Sequence, residues 1–246
     1  MKKVYNIAVD GPAGAGKSTI ARSVAERLNF VYVDTGAMYR AMALHFLRNG
    51  IPAADEAAIS RSAEKVDVTI SYENGMQQVI LNGENVSGLI RTQEVSAMAS
   101  AVSVYMPVRR KLVELQKNLA LKENVIMDGR DIGTCVLPHA DLKIYLTASS
   151  RVRAKRRYEE LSAKGEECSL EDIEKDIIER DYRDMNRENS PLKQAEDAIL
   201  VDSSSMTVPE VVDRILKLFH VVNQKDMEAY SLDSLEYKME GGSLWK

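Results

Sequence analysis

Residues 11–18 combine closely spaced glycines with a lysine and a serine, a set of residue types suited to binding phosphate. The pattern G-x-x-x-x-G-K-[ST] is matched at every specified position. Glycines let the backbone turn so that its N–H groups face phosphate oxygens, and a following helix adds the partial positive charge of its N-terminus. A glycine-rich turn with a surface lysine is the alternative, which a flanking strand and helix disfavour. We predict that the phosphate-binding loop (P-loop) comprises Gly11, Pro12, Ala13, Gly14, Ala15, Gly16, Lys17, Ser18 and Thr19.

The side chains that end this loop predict phosphoryl chemistry. Lys17 is placed to reach the β- and γ-phosphates of a nucleotide, and Ser18 supplies a hydroxyl for Mg²⁺. Such a loop occurs in small-molecule kinases, GTPases and motor ATPases alike. A GTPase needs a guanine-binding motif such as N-K-x-D, which the sequence lacks. The loop therefore favours a small-molecule kinase, whose acceptor site must lie elsewhere in the chain.

A second polar segment, residues 34–40, follows a predicted strand and begins a predicted helix. Thr35 suits the cap of that helix, and this structural role alone would explain it. Arg40 is either a solvated surface residue or an anion ligand. Its place beside the carboxyl end of the strand, across from the P-loop, favours the ligand role.

Residues 173–187 predict a helix that faces the site. Positions 173, 177, 180, 184 and 187 follow the spacing of one helix face. Their occupants change from apolar to charged along the chain: Ile173, Ile177, Arg180, Asp184 and Arg187. Burying these charges without partners costs several kcal/mol each. We therefore expect them to line a cleft that binds an anionic, hydroxyl-bearing ligand. A surface ladder of ion pairs is the alternative.

Residues 151–157 form a basic run that contains Arg151, Arg153, Lys155, Arg156 and Arg157. Such a run is usually a solvated face or a nucleic-acid contact. No aromatic residues alternate with these, and acidic residues follow at once. The sequence instead favours a mobile flap that closes over phosphates and excludes water, with Arg153 and Arg157 contributing charge.

Composition limits the class of protein. The chain has 246 residues, of which 45% are hydrophobic and 28% charged, and its formal charge is −4. That charge disfavours a nucleic-acid partner, and no apolar run approaches the roughly 18 residues of a membrane span. Cys135 and Cys168 have no metal-site spacing, and two thiols cannot frame a secreted scaffold. We expect a cytoplasmic, monomeric enzyme.

Alternating strands and helices must position these residues. Short apolar runs predict strands at 4–10, 30–34, 124–128, 141–148 and 198–202. Helices are predicted at 18–28, 38–48, 93–122, 150–187 (interrupted) and 208–222. This alternation indicates an α/β fold with a parallel sheet, whose sites lie beyond the carboxyl ends of the strands. Polar residues follow three of those ends, at Asp10, Asp34 and Asp128.

Two segments depart from this alternation. Residues 66–86 contain two Asn-Gly pairs between short apolar runs, which predicts a small antiparallel β insertion. The last residues, 223–246, are polar and form either a weak helix or a tail with no assigned role.

The whole pattern resembles the bacterial-type cytidylate kinases, the (d)CMP kinases of the nucleoside-monophosphate kinase family. The matching blocks are, in chain order, IAVDGPAGAGKST, DTGAMYRA, SGLIRTQEVSAMAS, MDGRDIGT and ERDYRDMNR. The first begins at Ile7 and the last ends at Arg187, and the resemblance extends to about residue 192. The resemblance implies a three-layer P-loop NTPase fold with a five-stranded parallel sheet of order 2-3-1-4-5. It also implies a core (1–34, 104–148, 188–222), an acceptor region (35–103) with the insertion at 62–92, and a lid (149–187). The tail lies beyond the resemblance.

The resemblance also implies roles for individual residues. Residues matching Ser100, Arg109 and Asp131 contact the cytosine, where a carboxylate accepts from the exocyclic N4 amine that uracil lacks. Those matching Arg40, Arg130 and Arg187 hold the acceptor phosphate, and those matching Arg180 and Asp184 meet the sugar. At the position of Thr35 the family pattern is satisfied by either serine or threonine, since both carry a hydroxyl.

The implied reaction transfers the γ-phosphoryl group of ATP to CMP or dCMP. The acceptor oxygen is already ionised, so charge neutralisation by Lys17, Arg130, Arg153, Arg157, Arg187 and Mg²⁺ replaces a general base. Ser18 and Asp128 are our predicted metal ligands, although Asp128 is also suited to a structural turn. A kinase for UMP, AMP or shikimate, and a non-catalytic nucleotide-binding protein, remain the alternatives.

Overall fold

The strands form one parallel and one antiparallel sheet. The structure is a computed structural model that describes the backbone of residues 3–240 and the side chains of residues 3–224. The strands in this part of the chain are β1 (Asn6–Asp10), β2 (Val31–Asp34), β3 (Val68–Glu73), β4 (Met76–Leu81), β5 (Glu84–Asn85), β6 (Val125–Gly129), β7 (Leu142–Thr147) and β8 (Ile199–Asp202).

The larger sheet has the order β2-β6-β1-β7-β8, and all its neighbours are parallel. Numbered among themselves, its five strands follow 2-3-1-4-5, as the resemblance implied. Each of the five predicted strands is present, with ends shifted by at most two residues. The register places Asp10 beside Gly129 and Asp34 beside Asp128, so the polar strand ends share one edge.

Helices cover both faces of this sheet. The α-helices in the described residues are α1 (Lys17–Leu28), α2 (Thr35–Arg48), α3 (Glu56–Lys65), α4 (Gln93–Val102), α5 (Met106–Ala120), α6 (Ser150–Ala163), α7 (Leu170–Asn186) and α8 (Val208–Glu240). Side chains alternate across a strand, so Ile7 and Val9 pack in the core formed with α1 and α8. Ala8 packs in the opposite core, formed with α2, α4 and α5. The predicted three-layer architecture is confirmed.

The prediction of one helix over 93–122 was wrong. The chain instead forms α4 and α5, separated at residues 103–105. Pro107 lies in the first turn of α5, where its missing N–H removes no helical hydrogen bond. Helix α3 was not predicted at all. The predicted interruption within 150–187 is confirmed, with Gly165 at a φ of +76° between α6 and α7.

The β insertion is also confirmed. Strands β3 and β4 pair antiparallel from Val68–Leu81 to Glu73–Met76, and β4 pairs with β5. Asn74 and Gly75 have φ angles of +52° and +75°, which suit the tight turn between two twisted strands.

The C-terminal segment is helical for most of its length. Helix α8 extends to Glu240, and residues 241–246 of the predicted tail lie outside the described part of the chain. Among the described residues, no helix is both long and apolar enough to cross a membrane.

Candidate active site

A cleft of about 800 Å³ opens at the carboxyl edge of the parallel sheet. This volume lies within the range of about 300–1,000 Å³ that is usual for ligand pockets. Its walls come from the P-loop, the first turns of α2, helix α4, the end of β6, and helices α6 and α7. All the predicted site residues line it except Gly11 and Pro12.

Glycines give the P-loop its shape. Gly11 has a φ of +148°, and a Cβ there would lie 1.9 Å from the carbonyl oxygen of Leu146 on the neighbouring strand. Gly14 and Gly16 have φ angles of +75° and +89°. Gly16 then caps α1 in the left-handed conformation, which leaves the first N–H groups of that helix facing the cleft. Gly11 and Pro12 thus support the loop from behind its phosphate-facing surface.

Lys17 lies at the floor of the cleft with little solvent around it. Its side chain is 6% exposed, and its Nζ donates to the carbonyl oxygen of Pro12 at 2.8 Å. Burial, followed by the charge of Arg130, lowers the pKa of this ammonium well below its usual range. An anion that enters the cleft would counter this effect, because a nearby negative charge favours the protonated form of the amine.

Asp128, at the end of β6, occupies the corner beside the P-loop. Its Oδ2 accepts from the Ser18 hydroxyl at 2.8 Å, and its Oδ1 accepts from the Tyr32 hydroxyl at 3.1 Å. Burial, and then the charge of Asp34, raises the pKa of Asp128. The predicted metal ligands Ser18 and Asp128 are therefore adjacent. Tyr32, which sequence reasoning missed, holds the Asp128 carboxylate through the oxygen that does not accept from Ser18.

Thr35 does not cap α2, contrary to one expectation for it. Asp34 is the N-cap, and its Oδ1 accepts from the amide of Ala37 at 2.9 Å. The hydroxyl of Thr35 instead donates to the backbone oxygen of Asp128 at 2.7 Å. Thr35 thus joins β2 to β6 at the point where both strands reach the cleft.

Asp10 holds the turn that follows β6. Its two carboxylate oxygens accept from the amides of Ile132 and Gly133, at 2.8 and 2.7 Å. These residues begin a π-helical turn, Ile132–Val136, directly after Asp131. Burial raises the pKa of Asp10 to about 6, although the hydrogen bonds from the two backbone amides oppose that change. Asp10 therefore positions the segment that bears Arg130 and Asp131.

Arg109 and Asp131 form a buried pair on the acceptor side of the cleft. Both side chains are under 10% exposed, and Arg109 Nη2 donates to Asp131 Oδ2. Arg187 lies 3.9 Å from the other oxygen of Asp131. Ser100, on α4, lines the same region. Of the three residues implied to contact the base, Arg109 and Asp131 are thus in direct contact, and Ser100 lines the same cleft.

The acceptor arginines have different partners. Arg130 Nε donates to Asp184 Oδ2 at 2.9 Å, and Arg40 donates to Asp34 Oδ2 at 2.9 Å. Arg180, in contrast, forms no ion pair among the described residues, and its buried Nε has no hydrogen-bond partner. Burial, and then the charge of Arg130, lowers the pKa of Arg180.

The inward face predicted for residues 173–187 is present, but the surface ion-pair ladder is not. Asp184 is buried and Arg180 is half-buried on the face of α7 that meets the cleft. Asp184 pairs with Arg130, which follows β6, rather than with its neighbours on the helix. Arg187 follows the last residue of α7, where its Nε donates to the carbonyl of Ser190 at 2.5 Å.

The basic run lies on α6, and its members differ sharply in environment. Arg153 is 5% exposed and donates to the carbonyls of Ala13 and Ala148 and, at 2.5 Å, to Asp181. These three acceptors join Arg153 to the P-loop and to α7, so its side chain forms part of the cleft wall. Arg157 lies at the rim, about half exposed, and pairs with Glu160.

One end of the cleft was missed by sequence reasoning. It is lined by Arg156, Ser203, Met206, Thr207, Val208 and Val211. Arg156 donates to the carbonyl of Ser203 at 2.8 Å, which ties α6 to the loop after β8. The run of serines at 203–205 is an ordinary loop signal, so nothing in the local sequence marks this wall as part of a site.

Charge is distributed unevenly between the cleft and the remaining surface. Nine lysine or arginine residues and five aspartate or glutamate residues line the cleft, although the chain as a whole has a formal charge of −4. A cleft with such an excess of one sign concentrates the electric field and attracts ligands of the opposite charge.

The sheet order, the loop between β1 and α1, and the cationic cleft together define a P-loop phosphotransferase. The family model described as cytidylate kinase matches residues 7–221. The chain belongs to the cytidylate kinase family.

Curated relatives agree over most of the chain. A cytidylate kinase from Carboxydothermus hydrogenoformans is 50% identical over 212 residues, which cover 86% of this chain and 96% of that protein. One from Caldicellulosiruptor bescii is 48% identical over 92% of this chain and 100% of its own length. A third, from Desulfitobacterium hafniense, is 50% identical over 89% of this chain and 94% of its own.

Proposed function

We propose that this chain transfers the γ-phosphoryl group of ATP to CMP and dCMP, forming CDP and dCDP. The observation that supports it best is the presence, in one cleft, of a complete P-loop and a buried Arg109–Asp131 pair. The first suits the phosphates of a nucleoside triphosphate, and the second offers a donor and an acceptor to a pyrimidine edge. Membership of the family supplies the donor and the acceptor class.

The donor nucleotide occupies the P-loop end of the cleft in this proposal. The amides of residues 13–19 surround its phosphates, and Lys17 leaves the Pro12 carbonyl to contact them. The donor base lies toward Met206, Thr207 and Val208, where the lining is less charged.

Ser18 and Asp128 are suited to hold Mg²⁺. Both offer hard oxygen atoms, they lie 2.8 Å apart, and the Ser18 side chain is exposed to the cleft. Mg²⁺ is usually held in proteins by one or two such oxygens together with water and substrate phosphates. When bound, the ion neutralises charge on the β- and γ-phosphates.

The acceptor occupies the opposite side of the cleft. Asp131 accepts from the N4 amine of cytosine, with Arg109 and Ser100 beside it. Arg40, Arg130 and Arg187 hold the acceptor phosphate, while Arg180 and Asp184 meet the sugar. Thr35 lies between the two nucleotides, fixed by its bond to Asp128.

No general base is needed for this transfer. The acceptor oxygen belongs to a phosphate whose second pKa is about 6, so it is ionised at neutral pH. Catalysis then consists of aligning two polyanions and neutralising their repulsion. Lys17, Arg130, Arg153 and Arg187 supply this charge within the cleft, and Arg157 supplies it from the rim.

An acceptor panel tests the proposal. ADP release from ATP should depend on CMP and dCMP, with UMP and AMP much poorer and shikimate inactive. A preference for another acceptor would replace the proposed substrate. The absence of acceptor-dependent ADP release with all five compounds would contradict a kinase.

Several further features belong to this proposal. We propose that the chain acts as a monomer in the cytoplasm. We also propose that residues 35–103 move with the acceptor, and 149–187 with the donor, relative to the core.

A further inference from the structure

Strand β2 lies at one edge of the parallel sheet, and its outer backbone groups need partners. Side chains of the β insertion supply them. The Tyr72 hydroxyl donates to the carbonyl of Tyr32 at 3.0 Å. The Gln77 amide brackets Asp34, since its Oε1 accepts from the Asp34 N–H at 2.8 Å and its Nε2 donates to the Asp34 carbonyl at 3.2 Å. The insertion is thus joined to the sheet edge by side chains, where a neighbouring strand would use its backbone.

The residue that Gln77 brackets has further contacts in the acceptor site. The carboxylate of Asp34 caps α2 through Ala37 and accepts from Arg40 at 2.9 Å. A Cβ on Gly36 would lie 3.1 Å from Arg40 Nη1 and 3.2 Å from Asp34 Oδ1, so this ion pair is closely packed. Arg40 keeps a buried Nε with no hydrogen-bond partner while lining the cleft. A shift of the Asp34 backbone would therefore move the guanidinium of Arg40.

We propose that Gln77 is a positioning residue for the acceptor phosphate, acting through Asp34 on Arg40. The inference rests on the proposed function, because it assigns Arg40 to the phosphate of the acceptor nucleotide. It also gives the β insertion a specific role, since the attachment of the insertion at Asp34 sets the affinity of the cleft for the acceptor. Gln77 itself does not line the cleft and has no contact with the reacting groups.

The chemistry of the side chain explains why glutamine suits this place. One amide provides the acceptor for the Asp34 N–H and the donor for its carbonyl, a pairing that a backbone strand would otherwise supply. Leucine has a similar volume but has neither the hydrogen-bond acceptor nor the donor of the glutamine amide. Glutamate keeps the acceptor but places a carboxylate oxygen against the carbonyl.

The neighbouring residue offers a matched control. Gln78 lies on the same strand and is also half-buried, yet among the described residues its side chain forms hydrogen bonds only with Met76 and Asn85, both within the insertion. Replacing Gln78 by leucine therefore perturbs the insertion without breaking its attachment to β2.

Steady-state kinetics test the proposal. Gln77→Leu should raise KM for CMP by about five- to tenfold, the effect of losing one or two ordinary hydrogen bonds, with KM for ATP unchanged. Gln78→Leu should change neither the KM for CMP nor the KM for ATP. If Gln77→Leu does not fold, Gln77→Glu should raise KM for CMP in the same direction.

A double-mutant cycle identifies the route of the effect. In an Arg40→Ala background, Gln77→Leu should cause no further rise in KM for CMP, because the group that it positions is gone. Effects that multiply in the double variant, or KM values for ATP and CMP that rise together, would overturn the proposal.

Hydrogen exchange separates this proposal from the proposed function. The amide of Asp34 should exchange faster in Gln77→Leu than in the wild type or in Gln78→Leu. Wild-type protein without CMP-dependent activity would refute the proposed function alone. Unchanged exchange at Asp34, or unchanged KM for CMP in an active enzyme, would refute the role of Gln77.

Discussion

Individual side chains in the cleft are held in states that are unfavourable without a ligand. Lys17 is buried and Arg180 is half-buried, and burial lowers the pKa of each. Neither forms an ion pair with a carboxylate in the described part of the chain. Such groups reduce the stability of the free protein and become favourable only when an anion enters, which is typical of functional positions.

Lys17→Met tests this argument at the P-loop. The variant should lose at least about 100-fold in kcat, since a charge that neutralises the transferred group is removed. Its melting temperature should equal or exceed that of the wild type, because a buried amine that is difficult to protonate is replaced by an apolar side chain of similar length. Coupled ADP assays and thermal unfolding measure the two effects. Near-normal turnover would contradict the role of Lys17.

Asp131→Asn tests the contact with the base. The amide keeps the volume of the carboxylate but offers a donor where the N4 amine of cytosine needs an acceptor, so the ratio of kcat/KM for CMP over UMP should fall by about 10-fold or more. Asparagine is preferable to alanine here, because it can still accept a hydrogen bond from buried Arg109. An unchanged CMP-to-UMP ratio in a folded variant would exclude Asp131 from base recognition.

Secondary-structure elements were predictable from the sequence where their patterns are local. Buried strands appear as short apolar runs, and all five were found this way. The break between α4 and α5 was missed because residues 93–122 are helix-compatible throughout and Pro107 sits where a helix tolerates proline. The strand order came from the family resemblance, since it depends on contacts between distant segments.

The candidate site was predictable to a similar degree. The face of α7 that bears Arg180 and Asp184 follows from helical spacing alone. Their partners do not: Asp184 pairs with Arg130, 54 residues away, and Asp10 binds amides 122 and 123 residues away. Gln77 lies 43 residues from Asp34 on an insertion whose sequence shows only turns and strands. Such long-range contacts leave no periodic signal in the sequence.

Asp10→Asn tests the link between β1 and the π-helical turn. Burial raises the pKa of Asp10 from 3.8 to about 6, so the folded state retains a proton that the unfolded state releases at lower pH. This contribution to stability is present below about pH 4 and is lost as the pH rises to about 6. The unfolding free energy of the wild type relative to Asp10→Asn should therefore decrease by up to about 3 kcal/mol over that interval.

Urea unfolding of both proteins between pH 4 and 7 measures this difference. Carboxylates that do not interact with Asp10 titrate equally in the two proteins, so their effects cancel in the comparison. A difference that stays constant or increases with pH would show that Asp10 is not a buried carboxyl with a raised pKa.

At the scale of the whole molecule, the cleft gathers cationic groups from elements that are distant in the chain. Arg40 comes from α2, Arg130 from the end of β6, Arg153 from α6 and Arg180 from α7. The mutual repulsion of these arginine side chains opposes folding. A nucleotide binds only the folded state, and its negative charge offsets that repulsion. Binding and stability should therefore be strongly coupled in this protein.

Arg180→Met measures that coupling. Without ligand the variant should melt at or above the wild-type temperature, because a buried guanidinium next to Arg130 is removed. With CMP at about 100 times its Kd, the wild type should gain roughly 5–10 °C, the equivalent of about 2.7 kcal/mol in a protein of this size. At the same CMP concentration, the melting temperature of Arg180→Met should rise by clearly less than that of the wild type. Lys175→Met, which removes an exposed charge from the same helix, should leave both temperatures unchanged. If Arg180→Met instead lowers the melting temperature and keeps the full gain with CMP, Arg180 supports the fold and its charge does not couple stability to CMP binding.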